Sequence, residues 1–351
     1  MSDRVWWELT DYSGQIGFYV SVSANLILLL LIHYKSSPLM GSYKTLLIFI
    51  SFFSVFYSFV EMECRPLIHM HDDTLFLIYQ KWVNKSKVIT NMIPTTYCWC
   101  YSMSYVLLAL QFIYRYIAVC KYDWLDHIEG RRIYAWLLGA ILIGASWASA
   151  VLLLFPKDER TDASFLHLIK YSYDLEVNST DYVPYKYFYY ENGVRKFDRL
   201  NMIGIIQHLT VIMVSLFVLF FCGIAIYRTA KKQESTTSSK TRELQMQLFR
   251  ALVMQTLIPC FFNFIPLVFL YLCPILDIQL GPRTNYQVIV AQFYPALDPI
   301  VLFFIIDDYR STLAGIIKLR CENKIAVYDY DQSQYTDFMA MESDSRRITV
   351  F

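Results

Sequence analysis

Residues 200–227 read LNMIGIIQHLTVIMVSLFVLFFCGIAIY, a run from Leu200 to Tyr227 without a single Asp, Glu, Lys or Arg. A helix rises about 1.5 Å per residue, so the run exceeds the roughly 20 residues needed to cross the hydrocarbon of a bilayer. In lipid every backbone N–H and C=O has to be paired inside the segment, which makes a helix the natural form. Working outward, six further stretches fit the same reading: Gly14 to Tyr34, Thr45 to Val60, Asn91 to Tyr114, Ile133 to Pro156, Ala251 to Leu276 and Thr284 to Ile306. The second is short and is expected to extend through the mixed run Glu61 to Met70. The last holds one acid, Asp298. Composition agrees: 56% of the 351 residues are hydrophobic and 17% charged, against about a quarter charged in soluble domains. The expected fold is therefore an all-α membrane protein, a seven-transmembrane helix bundle with a short amphipathic helix after the seventh. A net charge of +1 gives no reason to expect nucleic acid.

Orientation follows the Lys/Arg bias of short loops. With the N-terminus outside, the inner segments 35–44, 119–132, 227–250 and 307–322 hold 14 Lys/Arg in 64 residues, and the outer ones 13 in 93. Two Asn-X-Ser/Thr sequons, at Asn84 and Asn178, fall on the outer side in this topology, where glycosylation takes place. The chain then divides into an extracellular N-terminus 1–13, a seven-transmembrane bundle 14–322 and a polar cytoplasmic tail 323–351 expected to be disordered. The acids and Arg4 among the first 13 residues, followed by a long apolar run, predict an anchor rather than a cleaved signal. Cys98 and Cys100, two apart on a helix, face different directions, so neither a metal nor any other cofactor is expected. Cys321, just past the last helix, is a palmitoylation candidate.

Enzyme chemistry finds no parts. Only one carboxylate, Asp298, lies deep in a span, only His208 of six histidines sits well inside a helix, and the last helix has no Lys for a Schiff base. An intramembrane ionisable residue costs about 2.5–3.5 kcal/mol at the centre on insertion scales, so Asp298 is a functional candidate. With Pro299 it reads either as a structural kink, the acid capping freed amides or meeting Asn25, or as a hinge. Arg115, flanked by Tyr114 and Tyr116 at the inner end of the third helix, reads as a snorkelling anchor or as a contact that changes with state. The outer loop 157–199 reads as a lid over a pocket or as a mobile connector.

Several short patterns carry a resemblance. They are Tyr43-Lys44 opening the second helix, Arg65-Pro66-Leu67-Ile68-His69 closing it, Tyr114-Arg115-Tyr116, and Tyr190-Glu191-Asn192-Gly193-Val194-Arg195. Further along come Gln247 to Leu252, Gln255 to Pro259, Tyr294-Pro295-Ala296-Leu297-Asp298-Pro299 and Asp308-Tyr309-Arg310. Together these resemble the nematode seven-transmembrane chemoreceptors of the str type over nearly the whole chain. The resemblance implies an odorant or pheromone receptor for olfaction and chemotaxis in the membrane of sensory cilia, coupled to a heterotrimeric G protein. By analogy with rhodopsin-like receptors it places Arg115 where they have the Arg of Asp-Arg-Tyr, with Tyr114 replacing the Asp, and Asp298-Pro299 where they have Asn-Pro. The disulfide those receptors make to the long outer loop is excluded, because residues 157–199 contain no Cys.

A ligand site is expected in the outer half of the bundle. Candidates are Tyr97, Tyr101, Ser104 and Tyr105 on the third helix, Gln207 and His208 on the fifth, Asn263 on the sixth and Gln292 on the seventh; each reads equally as a helix–helix hydrogen bond. Apart from Glu61, Glu63 and Arg65, assigned to the outer mouth, no charge is available there, which predicts a small uncharged ligand. Arg115, Lys231, Lys232, Arg242 and Arg250 are expected around an inner cavity, either as simple positive-inside topology or as a dock for a G-protein helix. The expected partners are thus a small odorant or pheromone, a heterotrimeric G protein and membrane lipid. Two rival readings are a ligand-gated cation channel subunit with inverted seven-helix topology, which needs the N-terminus inside, and a scaffold membrane protein without a ligand.

Overall fold

The computed structural model describes residues 3–35, 40–80, 87–232, 239–316 and 318. Asn84, Cys321 and the tail lie outside the described residues. The helices are α1 (Asp3–Lys35), α2 (Tyr43–Cys64), α3 (Lys87–Cys120), α4 (Ile133–Leu153), the short α5 (Glu159–His167), α6 (Arg199–Lys232), α7 (Ser239–Pro259), α8 (Ile265–Leu272), α9 (Asn285–Ala291) and α10 (Tyr294–Ile305). A last short helix, α11, covers 307–316. Among the described residues α1, α2, α3, α4 and α6 are each long and apolar enough to cross a bilayer, and α9 with α10 makes a sixth span bent by 40°. The remaining apolar stretch is carried by α7, a π turn over Cys260–Phe264 and α8, wound one after the other. Large apolar side chains on α6, among them Met213, Val214, Phe217 and Phe221, stay exposed, as a face toward lipid requires.

The helices begin and end where local chemistry dictates. α1 starts eleven residues before the expected span, and Trp6 and Trp7 pack on the small core of the strand cap, so the N-terminal segment is part of the fold. α2 stops at Cys64 instead of continuing to Met70. Arg65 takes a left-handed conformation (φ 45°, ψ 60°), and Pro66, which disfavours a helical residue before it, follows. α10 runs through Pro299 to Ile305 without interruption. The break falls at Gln292 and Phe293, where Pro295 in the first turn of α10 needs no backbone donor and lets a new helix start. Asn25 donates to the Pro295 carbonyl (3.0 Å), one turn before the Asp298 carboxylate it was expected to meet.

The expected end of the second helix and parts of the outer segments that follow it and precede α6 form strands. β1 (Leu67–His71), β2 (Thr74–Gln80) and β3 (Thr180–Lys186) make an antiparallel sheet with β2 in the centre. The register pairs Leu67 with Ile78 and Thr74 with Lys186. β2 reads TLFLIYQ, rich in aromatic and branched residues, and only its last residue is not buried. β4 (Phe188–Glu191) and β5 (Val194–Phe197) form a hairpin whose Asn192–Gly193 turn has positive φ at both positions (51° and 76°), as a two-residue primed turn demands. The sheet and α5 share a small core around Phe76, Phe165, Ile169, Tyr173 and Tyr182. Strand pairing of β2 with β3 thus ties the long loop to the bundle without a disulfide.

Candidate ligand cavity beneath the strand cap

The sheet roofs the bundle. Below it lies a cavity of about 50 Å³. Ile68, Leu75, Leu77 and Tyr185 descend from the cap, Tyr97, Cys98 and Tyr101 come from α3, and Trp147 from α4. Leu267 and Tyr271 of α8 and Gln287, Val288 and Ala291 of α9 complete the wall. No lining side chain carries a charge. The polar groups form a chain at the floor: the Tyr101 hydroxyl donates to Asn263 Oδ1, and Gln287 Nε2 donates to the same oxygen (2.7 Å). The Tyr105 hydroxyl reaches it at 3.4 Å, with its ring 4.3 Å from that of Phe264. Gln287 Oε1 has no hydrogen-bond partner among the described residues, so one acceptor in the cavity wall is open.

Of the eight expected ligand residues, Tyr97 and Tyr101 line the cavity, and Asn263 and Tyr105 support its floor. His208 stands one layer back, stacked on Trp147 with centroids 4.0 Å apart and its Nδ1 3.1 Å from the Tyr271 hydroxyl. The other three point elsewhere. Ser104 donates back to the Tyr101 carbonyl (2.6 Å), and Gln207 donates to the Ser146 carbonyl of α4 (2.9 Å). Gln292 is held by Ser13 and the Thr10 carbonyl of α1. A helix turns about 100° per residue, so Gln207 cannot share a face with His208, nor Gln292 with Gln287. Gln287 was missed although its signal, an amide one turn before Ala291 on the same face, was present. Tyr185 and Tyr271 gave no such signal, because one comes from an unexpected strand and the other is a lone tyrosine in an otherwise apolar helix.

Glu61 is not at the outer mouth. It is 2% exposed on α2, and neither carboxyl oxygen has a hydrogen-bond partner among the described residues.

The cap is pinned by charge. Arg160 pairs with Asp73 (3.1 Å), Lys157 with Asp181, and Lys186 with both Asp158 and Asp198 (3.3 Å). Burial works against the charged forms of Asp158 and Asp198. The hydrogen bonds from Lys186, with those of Thr161 and Asn201, outweigh it and hold both carboxyls below the usual range. The Tyr173 hydroxyl is hydrogen bonded to His69 Nδ1 (2.8 Å) and accepts from Asn285 Nδ2 (3.3 Å), while Asn285 Oδ1 accepts from the Ile68 N–H (2.8 Å), so β1 is fastened to the start of α9. Burial, with a smaller contribution from His71, lowers the His69 pKa to about 4.

At the opposite end a larger cavity, about 1350 Å³, opens between α6, α7 and the segment 304–310. Arg250 and Arg310 line it together with Glu243 and Asp307, so its charge is mixed. Gln247 clasps this segment twice, its amide N–H donating to the Asp307 carboxylate and its Oε1 accepting from the Asp307 backbone N–H (3.3 Å). Arg115 is not part of this cavity and does not snorkel. It is 2% exposed, and its guanidinium lies 3.7 Å from the centroid of the Tyr43 ring on α2, a cation–π contact shielded from solvent. Tyr114 donates to Glu129 (3.3 Å), while Tyr116 packs on Phe221 at 5.8 Å. Asp298 is buried, and its carbonyl accepts from Gln255 (3.1 Å). Lys231, Lys232 and Arg242 sit on α6 and α7, and their side chains lie outside the described residues. No group of three or more His, Cys, Asp or Glu among the described residues could hold a metal.

Residues 10–314 match the profile of the family described as serpentine type 7TM GPCR chemoreceptor Str. Serpentine receptor class r-10 of Caenorhabditis elegans is 34% identical over 96% of this chain and 97% of its own length. Its Caenorhabditis briggsae namesake is 34% identical over 93% and 95%. The G-protein coupled receptor str-217 of Caenorhabditis elegans is 30% identical over 86% and 88%.

Proposed function

This chain belongs to the Str family of serpentine seven-transmembrane chemoreceptors, and from that membership we propose that it is an olfactory receptor for a small uncharged odorant, signalling to a heterotrimeric G protein. In this reading the strand cap faces the outside and the N-terminus is extracellular. The receptor sits in the plasma membrane of a sensory cilium. The observation that carries the ligand class is the wall of the capped cavity, whose polar groups are hydroxyls, an indole and the amide of Gln287, with no charge to neutralise an ionised ligand. The open acceptor of Gln287 is available to a ligand donor. At the far end, the cavity between α6, α7 and Arg310 offers apolar walls with charged rims, which suits a partner helix. An inverted channel subunit would need the cap inside the cell. Asn178, exposed on the turn Val177–Ser179, tests this directly by glycan mapping.

The experiment is a G-protein reporter assay in cells expressing the full chain, screened with neutral odorants beside ascaroside-type acids and repeated with Arg115→Ala. A response to a neutral odorant that falls below about a tenth in the variant at equal surface level supports the reading. Activity confined to the acids, or an unchanged response after loss of Arg115, would sink it.

A further inference from the structure

The cavity has a second, sideways neighbour. A groove of about 400 Å³ runs between the sixth and seventh spans, lined by Pro259, Asn263, Ile289, Val290, Phe293 and Leu297 together with Ala291. Ala291 also lines the internal cavity, so one methyl-bearing residue faces both spaces. Asn263 faces the groove as well, and it is hydrogen bonded to Tyr101 and Gln287 of the cavity wall. Ile289, Val290, Phe293 and Leu297 are only partly buried, which leaves the groove open on the lipid side.

Both flanking helices are irregular at this level. The sixth span carries the π turn Cys260–Phe264, and the seventh is broken at Gln292–Phe293 with a 40° bend. A π turn and a helix break leave backbone groups that re-pair at little cost, so wall movement is easiest here. On the water side the sheet lies over the cavity, pinned by Arg160–Asp73 and by Lys186, and fastened to α9 through Asn285. The cavity of about 50 Å³ is far smaller than the roughly 300–1,000 Å³ of a pocket for a drug-sized ligand, so occupancy by an odorant is expected to move its wall.

We propose that a small, neutral, lipid-soluble molecule enters the cavity laterally from the bilayer, between the sixth and seventh spans, across a threshold formed by Asn263 and Ala291. This rests on the capped cavity being the ligand site. A neutral molecule partitions into the acyl region and meets an apolar groove there. The Asn263 amide at its inner end offers the first polar contact, and displacement of the Gln287–Asn263 hydrogen bond opens the way inward. An ionised ligand has no such route, because the groove offers it no counter-charge.

The test uses the full chain in lipid nanodiscs with a neutral aliphatic diazirine alcohol as photolabel, read by peptide mapping. Val290→Trp fills the groove from the lipid side without touching the cavity, and Val290→Ala widens it. The expected result is that labelling of the Tyr101 and Gln287 peptides falls at least fivefold with Val290→Trp and rises with Val290→Ala. Labelling of the separate lipid-facing groove at Ala140 and Val214 stays unchanged. Equal cavity labelling in all three proteins overturns the lateral route, as does a wild type labelled in the groove and never in the cavity. If Val290→Trp does not fold, unchanged labelling in Val290→Ala overturns it alone. The readout needs no G protein, so a labelled receptor that is silent in reporter cells counts against the signalling reading and leaves the portal standing.

Discussion

Asn263 is the residue on which three helices converge, because Tyr101, Tyr105 and Gln287 all reach its carbonyl oxygen. Asn263→Leu keeps the volume and removes the acceptor of the buried Tyr101 and Tyr105 hydroxyls, while Gln287 keeps the backbone carbonyl of residue 263 (3.3 Å). In membranes a helix–helix hydrogen bond averages about 0.6 kcal/mol, while an orphaned buried donor costs about 1–3 kcal/mol. The variant is expected to lose about 1–3 kcal/mol of stability, seen as a lower melting midpoint in detergent, and to lose its odorant response even where it reaches the surface. Gly17 is a second single-residue constraint. A Cβ there would stand 2.6 Å from the Gln292 carbonyl oxygen, a backbone atom at the break in the seventh span that has no side-chain freedom to yield. Gly17→Ala should force α1 off that span, at a cost of about 1–3 kcal/mol by the usual scale of overpacking, and lower the surface level. A normal surface level and melting midpoint would refute the close approach. The identities of these residues were readable in the sequence, where Asn263 stood out as an amide in an apolar span. Their partners were not, because contact across helices depends on rotation about each axis.

At the scale of the element, the cap is the part most sensitive to solution conditions. His69 is neutral in the folded cap, with its pKa lowered to about 4, whereas a free His titrates near about 6.5. The folded cap therefore refuses a proton that the opened cap accepts. Its contribution is complete above pH ~6.5, fades as pH falls toward ~4, and changes little below that. The groups facing it, Tyr173, Asn285 and His71, include no acid that would reverse the sign. Hydrogen exchange at the β1 and β2 amides, corrected for intrinsic rate, should quicken by up to about tenfold per pH unit across this window. His69→Phe should flatten the dependence, and persistence of the full slope in that variant would assign it elsewhere. Asp158 and Asp198 are held below the usual carboxylate range by Lys186, so their loss begins only at more acid pH. The strands were not legible as strands. TLFLIYQ is short and apolar, and such a run fits a helix end as well as a buried strand until its partner is known. That partner, β3, lies about a hundred residues away.

At the scale of the whole molecule, the two ends are joined by the sixth and seventh spans, which meet at the cavity floor through Asn263 and Gln287, while at the far end Gln247 holds Asp307 at the start of α11. If the far cavity widens when a G protein binds, the Gln247–Asp307 clasp holds the closed state. A difference of about 1.4 kcal/mol shifts a two-state equilibrium tenfold, and a charge-assisted hydrogen bond contributes about 1.5–3 kcal/mol. Gln247→Ala should then raise ligand-independent reporter output by about tenfold. An unchanged or reduced basal signal would show that the clasp does not bias the states.

The sequence alone determined that the chain is a bundle of seven apolar spans, and through its short motifs the family to which it belongs. Backbone satisfaction in lipid is a local requirement, met within each segment and written in its composition. Tertiary structure decided the rest. It formed the strand cap where no disulfide was available and put the break in the seventh span at Gln292–Phe293 rather than at Pro299. It also turned Gln287 inward and Gln292 toward α1, and buried Arg115 over Tyr43. Each of these depends on a rotation, a register or a long-range pairing, and a difference of one residue on a helix is about 100° of direction. Composition fixes how far a helix reaches, but only its neighbours fix which way its side chains point.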